Sequence, residues 1–337
     1  ANKEITYVNK PHIGTDVLRE VIINMRKSIE RLGGQFLFET KLTDLNIKDN
    51  KLESVVLNGK ETLPCSAVLL AIGHSARDTF YLLNAKGVAM QNKPFAVGMR
   101  IMHPQSLIDK NQYGLLDDRL PVASYKLTFK ASNGKGVYSF CMCPGGYVVN
   151  ASSEINRLCI NGMSYSKRDS GIANSALIVT VNENDYGTNL FDGIKFQRNL
   201  EEKAYQLGNG LIPTETYGDY KDNKRPKTIG KLEPKIKGGY KIADLNELLP
   251  DNLNIALKEG IENFDRKIKG FADKETLLCG IEARTSSPIR IIRNENYESN
   301  IEGLYPSGEG AGYAGGITSA AIDGLKVSEA IMNKFKN

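Results

Sequence analysis

Five glycines fall within nine residues of the run Ser307-Gly308-Glu309-Gly310-Ala311-Gly312-Tyr313-Ala314-Gly315-Gly316, just ahead of an apolar, helix-like stretch from Ile317 to Phe335. A glycine-rich turn at a helix start leaves backbone N–H groups free and adds the positive end of the helix dipole. That combination attracts phosphate or another electron-rich group. Glycine density of this order implies close approach of backbone to a ligand, positive φ, or both. The stretch from Gly310 to Gly315 also satisfies G-x-G-x-x-G. A dinucleotide fingerprint needs a second strand behind the helix, ending in an acidic residue about 20 positions on. Glu329 falls inside the helix, so the run is not read as an N-terminal Rossmann fingerprint.

Other residues with chemical potential are scattered. Arg284, in Glu282-Ala283-Arg284-Thr285-Ser286-Ser287-Pro288, has the fork that holds a carboxylate or phosphate, or it forms a structural ion pair with Glu282 or another acid. Arg290 and Arg293 read as solvated or structural. His103 has the pKa range for proton transfer, or it is an ordinary hydrogen-bonded histidine. His74 is expected beside a strand end, and His12 before the first helix. Cys141-Met142-Cys143 is a C-x-C pair, whereas the common redox spacing is C-x-x-C. The following Pro144-Gly145-Gly146 favours a tight turn over a redox dithiol. No cluster has zinc spacing, and neither a P-loop nor a G-x-S-x-G elbow occurs.

The elements that must position these residues follow from periodicity. Val17, Leu18, Val21, Ile22, Met25, Ile29 and Leu32 recur at three- and four-residue steps, which predicts a helix over Thr15–Leu32. Thr15 or Asp16 would cap it, and Gly33-Gly34 would end it. Strands are expected at Gln35–Glu39, Leu45–Ile47 and Leu52–Leu57, with turns at Asp49-Asn50 and Asn58-Gly59. Ala67–Ile72 is continuously apolar, as in a strand covered on both faces. Strand-like runs at Gly136–Cys141, Gly146–Asn150 and Ser175–Val181, with helices near Phe196–Leu207 and Asp251–Ile268, read as a separate α+β region. Gly303–Pro306 and Ile317–Phe335 return to a strand–turn–helix pattern. The inner face of that helix would hold Ile317, Ala320, Ala321, Gly324, Leu325, Val327 and Ile331.

The chain has 337 residues, enough for about two domains. Its net charge of +5 is concentrated. Residues 220–241 hold eight Lys/Arg against Asp222 and Glu233, a local +6 that leaves the rest at −1. This segment reads as a solvated basic loop, or as a contact for an anionic cofactor or nucleic acid, with Tyr217, Tyr220 and Tyr240 at hand. Five cysteines, few and odd in number, suit a reducing cytoplasm. No stretch approaches the about 20 apolar residues of a membrane helix.

The run Gly303–Gly324 resembles the C-terminal FAD motif of a bacterial family of FAD-dependent (NAD(FAD)-utilising) dehydrogenases, within the glutathione-reductase-like flavoproteins. The likeness extends over Pro11–Asp16, Cys141–Gly146, Ala151–Glu154, Asn161–Ser164 and Glu282–Pro288. It implies that Ala71, Ile72 and Gly73 form a strand-end motif beside the dinucleotide. Gly308, Glu309 and Gly310 would lie near the ribityl chain or pyrophosphate, where a carboxylate accepts from hydroxyl groups. Gly315, Gly316 and Ile317 would face the flavin pyrimidine ring, favouring negative charge at its N1/O2 edge. Cys143, Asn161, Met163 and Thr285 would line the substrate side. Since the family opens with a strand, G-x-G-x-x-G and a helix, the resemblance implies that this segment is missing here, which bears on whether the fragment binds FAD. Whether NAD(P)H is the donor stays open, since no separate nicotinamide-binding unit is visible.

The expected fold is thus α/β, an incomplete FAD/NAD(P)-binding Rossmann-like domain at 1–95 and 276–337, with an inserted α+β substrate domain at 96–275. The expected activity is flavin-mediated hydride or electron transfer on a small molecule, with His103 and Arg284 as catalytic candidates and no metal. The rival readings are a flavoprotein acting on tRNA or another nucleic acid, and a catalytically silent binding domain.

Overall fold

The computed structural model describes residues 12–336. They group into two compact units. The first contains the described residues up to Phe36, Val97–Thr180 and Arg198–Ala283. The second contains Leu37–Ala96, Val181–Gln197 and the described residues from Arg284 onward. Helix Thr15–Arg31 therefore groups with the first unit, and residues 181–197 with the second.

The first unit is built on a seven-stranded, mostly antiparallel sheet in the order Tyr240–Ile242, Ile212–Thr216, Leu277–Glu282, Phe95–Pro104, Ile172–Val181, Gly136–Cys143, Thr128–Lys130. Only Ile212–Thr216 against Tyr240–Ile242 is a parallel pairing among the described ladders of this sheet. The central strands are buried along nearly their whole length, which is why Phe95–His103 reads as an apolar run interrupted by a single charge at Arg100. Gly98 is obligatory in it: a Cβ there would meet the Leu177 carbonyl oxygen at 1.9 Å. Helix Asp251–Asp265 buries Leu253, Leu257, Gly260, Ile261 and Phe264 at three- and four-residue spacing. Each large apolar side chain so buried contributes roughly 1.5–3 kcal/mol. Gly260 lets the helix sit against Val137, whose Cγ1 lies 2.6 Å from the place a Cβ would take.

The second unit holds the antiparallel meander Leu42–Lys48, Lys51–Leu57, Glu61–Pro64. The expected turns are present, with Asp49, Asn50, Asn58 and Gly59 all at positive φ. Strand Glu61–Pro64 was not anticipated, because all four residues are exposed and give no alternation. Two parallel strands, Val68–Leu70 and Leu304–Pro306, run side by side. Only Leu70 of the first is buried, so the expected cover on both faces fails at Val68 and Leu69. Around them Leu45, Leu52, Phe80, Leu83, Ile289, Ile291 and Leu304 form the core.

Several expectations need correction. Gln35–Glu39 is not a strand: it joins no ladder, and Glu39 takes the left-handed conformation. Gly14 is the N-cap residue of helix Thr15–Arg31, with no side-chain cap. Thr15 instead donates to the Ser164 carbonyl, and Asp16 accepts from the Ser166 N–H and hydroxyl. The helix is amphipathic as predicted but buries none of its residues; Ile22 and Met25 are each 56% exposed. Helix Ile317–Lys334 buries only Asp323 and Val327, so the other six residues of its expected inner face stay outside the core. No described helix is long and apolar enough to cross a membrane.

Candidate functional site

In the second unit the parallel pairing sets Leu304, Tyr305 and Pro306 opposite Val68, Leu69 and Leu70. The Ser307 N–H continues the ladder to the Leu70 carbonyl at 3.0 Å. Both chains thus leave the sheet at the same end, one as Ala71-Ile72-Gly73-His74 and the other as the glycine-rich turn. The carboxyl ends of neighbouring parallel strands are where open α/β sheets place ligands. The two segments touch: a Cβ on Gly310 would sit 2.3 Å from the Gly73 carbonyl oxygen, so only glycine fits. Gly73, Gly308 and Gly312 have φ of 64°, 73° and 85°, a second reason for glycine.

The turn is pinned from the helix behind it. Asp323 accepts from the Gly308 N–H at 2.7 Å and from the Ser307 hydroxyl at 3.3 Å, and Arg293 grips the same carboxylate with both terminal nitrogens. Burial works against the Asp323 charge, but Arg293 and the Gly308 N–H hold its carboxyl below the usual range. Arg293 also donates to the Pro306 carbonyl and stacks over the Tyr313 ring. Arg293 is therefore structural, one of the two readings of it above. Asp323, which sequence reasoning missed, is the residue that fixes the turn; an acidic residue on a helix face otherwise read as apolar was its only signal. Asp323→Ala is expected to lose about 2–4 kcal/mol of unfolding free energy, because Arg293 and the Gly308 N–H would lose their shared partner. Urea denaturation checks this, and a loss under 1 kcal/mol would show the turn to be held otherwise.

Beyond the turn, the N-terminus of helix Ile317–Lys334 is open. Its N-cap Gly316 makes no side-chain cap, a Cβ on Gly315 would have nothing within 4 Å, and Ile317 is 77% exposed. Beside it, Glu309 lies 2.6 Å from His74 Nδ1, joining the two strand-end segments. Arg284 is buried and donates to the Ser75 hydroxyl at 3.0 Å, one residue beyond His74. Lys93 is held below its ordinary pKa by burial and by the nearby Arg290 charge, while Glu309 pulls it the other way. Thr285 is buried and its hydroxyl donates to the Ala96 carbonyl.

The first unit carries a separate polar cluster. Arg100 is fully buried, and its Nε lies 2.6 Å from Glu282 Oε2. It also donates to Glu282 Oε1, Asn161 Oδ1, Asn174 Oδ1 and the Cys141 carbonyl, at 2.8–3.1 Å. Burial disfavours its charge, but Glu282 more than restores it. Glu282 is itself pushed up to about 7 by burial, against the pull of Arg100. Glu282 thus pairs with Arg100, not with Arg284. Gly162 makes room for the guanidinium, since a Cβ there would lie 2.1 Å from Arg100 Nη1. Asn161 and Cys143 belong to this cluster, whereas the Met163 sulfur accepts from the Thr15 hydroxyl at 2.9 Å. His103 is fully buried, and its Nε2 donates to the Phe271 carbonyl at 2.8 Å. Burial pushes its pKa down to about 4. It is a neutral core histidine, and the proton-transfer reading is set aside.

The basic segment 220–241 keeps most of its +6, since two of the following pairs use its own Asp222 and Glu233. Lys221 pairs with Glu262, Lys224 with Asp222 and Lys235 with Glu233, while Lys237 lies over the Tyr147 and Tyr165 rings. Tyr217 and Tyr220 are buried, with their hydroxyls on Glu262 and Asn254, so neither offers a stacking face. Among the described residues no His/Cys/Asp/Glu group could hold a metal ion.

Comparison with known proteins adds the following. The family described as "FAD-dependent protein, C-terminal domain-like" matches residues 94–285. A curated relative from Clostridium beijerinckii, described as an uncharacterized protein, is 51% identical over 342 residues. That match covers 99% of this chain and 64% of the relative, so the chain spans less than two thirds of its relative's length. Similar solved structures include an oxidoreductase from Methanosarcina mazei, with 12% identity, a TM-score of 0.37, and coverage of 92% of this chain and 53% of that one. A probable FAD-dependent monooxygenase from Pseudomonas aeruginosa matches with 12% identity, a TM-score of 0.26, and coverage of 76% and 60%.

Proposed function

The chain belongs to the family of FAD-dependent proteins with this C-terminal domain-like region, and from that premise we propose that it is part of a flavin-dependent oxidoreductase acting on a small molecule. The observation that carries the reading is the uncapped start of helix Ile317–Lys334, beside Glu309 at the shared end of two parallel strands. An isoalloxazine fits what stands there. The space at Gly315 is open, and the free N–H groups at the helix start favour an electron-rich ring edge. When bound, FAD supplies the two-electron chemistry.

The chain's own residues have positioning roles in this reading. The backbone at Gly315, Gly316 and Ile317 stabilises negative charge at the ring edge. The Glu309 carboxylate, oriented by His74, accepts hydrogen bonds from hydroxyl groups of the cofactor chain. The close contact of Gly310 with Gly73 keeps Ala71, Ile72 and Gly73 against the turn, and Asp323 keeps Gly308 in register. Arg284 gives the same end of the unit a fixed positive charge.

Gly315→Val tests the reading. Nothing surrounds the position, so the melting temperature without flavin is expected to stay unchanged. FAD affinity, followed by flavin fluorescence and the visible spectrum, is expected to fall at least about tenfold, or 1.4 kcal/mol. The same titration is run on this chain and on the full-length relative from Clostridium beijerinckii. Equal affinity of wild type and variant would move the flavin elsewhere, and failure of both proteins to bind FAD would overturn the reading.

A further inference from the structure

Cys141 and Cys143 lie on one strand, Gly136–Cys143, where residues two apart normally point the same way at a spacing too long for a sulfur–sulfur bond. Here the register against the neighbouring strand changes between them. Cys143 stands opposite Asn174 and Phe140 opposite Ala176, so three steps on one strand match two on the other. The extra residue is a β-bulge at Cys141-Met142, and Cys141 takes φ of 46°. A left-handed non-glycine residue costs on the order of 1 kcal/mol, and bulges of this kind re-aim a side chain. The bulge turns Cys141 to the surface and leaves Cys143 buried behind it, with the Cys143 thiol 3.4 Å from the Cys141 carbonyl oxygen. Arg100, fully buried and charged, donates to that same carbonyl and stands 3.9 Å from the Cys143 sulfur.

We propose that Cys141 and Cys143 form a redox-active dithiol, with Cys141 as the attacking thiolate and Cys143 as the resolving thiol, whose substrate is a low-molecular-weight disulfide. The electrostatics agree with the geometry. The Cys143 thiol donates to Cys141, and with the Arg100 charge this holds Cys141 below its ordinary value although burial opposes it. The same contact, with burial, holds Cys143 well above its ordinary value. In the reaction, the Cys141 thiolate attacks one sulfur of the disulfide, whose S–S bond breaks, and the first thiol leaves with a proton from solvent. Cys143 then loses its proton and attacks the Cys141 sulfur, releasing the second thiol. One disulfide is reduced to two thiols, and the two protein thiols become one disulfide. This chemistry is independent of the flavin reading and stands if that reading fails.

Alkylation rate is a weak readout. A lowered pKa raises the thiolate fraction at pH 7 over an ordinary thiol, but falling nucleophilicity takes back much of the gain. The pH midpoint is the decisive quantity. Iodoacetamide labelling, read by peptide mass spectrometry, is expected to give Cys141 a pH midpoint below the ordinary thiol value, with Cys65, raised by burial, as internal control. Cys143→Ser is expected to raise the Cys141 midpoint. With oxidised glutathione, wild type is expected to form an internal disulfide and retain no adduct. Cys143→Ser is expected to trap glutathione on Cys141, and Cys141→Ser to do neither. Melting curves of both variants certify folding. An ordinary Cys141 midpoint, or a glutathione adduct that persists on the wild type, would overturn the proposal.

Discussion

Arg100→Met is expected to cost about 3–5 kcal/mol of stability at pH 8, a large part of what a domain possesses. The guanidinium is fully buried and serves four groups, Glu282, Asn161, Asn174 and the Cys141 carbonyl. Removing it strands the Glu282 carboxylate, which is 4% exposed, without its cation. A buried charge in that position escapes by taking up a proton. The deficit should therefore shrink on moving from pH 8 to pH 5, because the native variant holds a proton that its unfolded chain has lost. The double variant Arg100→Met with Glu282→Gln is expected to recover part of the loss at pH 8. Arg100→Lys is not, because an ammonium cannot reproduce the fork. Guanidinium denaturation at the two pH values measures all three. A loss under 1 kcal/mol, or one independent of pH, would show that the ion pair does not hold this sheet.

Glu215→Gln is expected to do the opposite and stabilise the protein at alkaline pH, by on the order of 3 kcal/mol. Glu215 lies on the buried strand Ile212–Thr216, with one oxygen accepting from the Leu245 N–H at 2.6 Å. Burial pushes its pKa up to about 8; the Leu245 N–H opposes this, the Asp244 and Asp219 charges add to it, and Lys258 offsets a part. The native state thus retains a proton that the unfolded chain releases above the ordinary carboxyl pKa, 4.5. The contribution is fully present below that value and is lost as pH rises through about 8. Glutamine mimics the protonated form and keeps the acceptor for Leu245. Wild type and variant should have similar denaturation midpoints at pH 4.5 and diverge as pH rises to 9. Parallel pH profiles would rule out a retained proton.

Much of this was legible in the sequence. The strand, glycine-rich turn and helix after Gly303 stand within a residue of expectation, because glycine spacing and an apolar run both report local backbone conformation. The turns at Asp49-Asn50 and Asn58-Gly59 were equally readable, since few residues tolerate positive φ. What escaped were pairings fixed by tertiary contact. Arg100 was one charge in an apolar strand, and nothing local names Glu282 as its partner. Asp323 had no place in the expected helix pattern, yet it holds the turn. The apolar stripe of helix Thr15–Arg31 gave the right element and the wrong burial, because amphipathicity states which face is apolar and not what covers it. The C-x-C spacing argued against a redox pair because the common spacing is C-x-x-C, and the bulge between the two cysteines left no mark in the sequence.

The interlacing of the two units bears on how the chain is made. Each unit is assembled from three separated segments, and the first needs residues as late as Arg198–Ala283. The second waits for the strand Leu304–Pro306, whose parallel partner at Val68–Leu70 is synthesised more than two hundred residues earlier. An emerging polypeptide cannot close either core early, so its apolar strands must remain exposed to solvent or to chaperones through most of translation. Slowing the ribosome gives such a chain no head start. Yield should respond to lower temperature and chaperone supply more than to codon pacing.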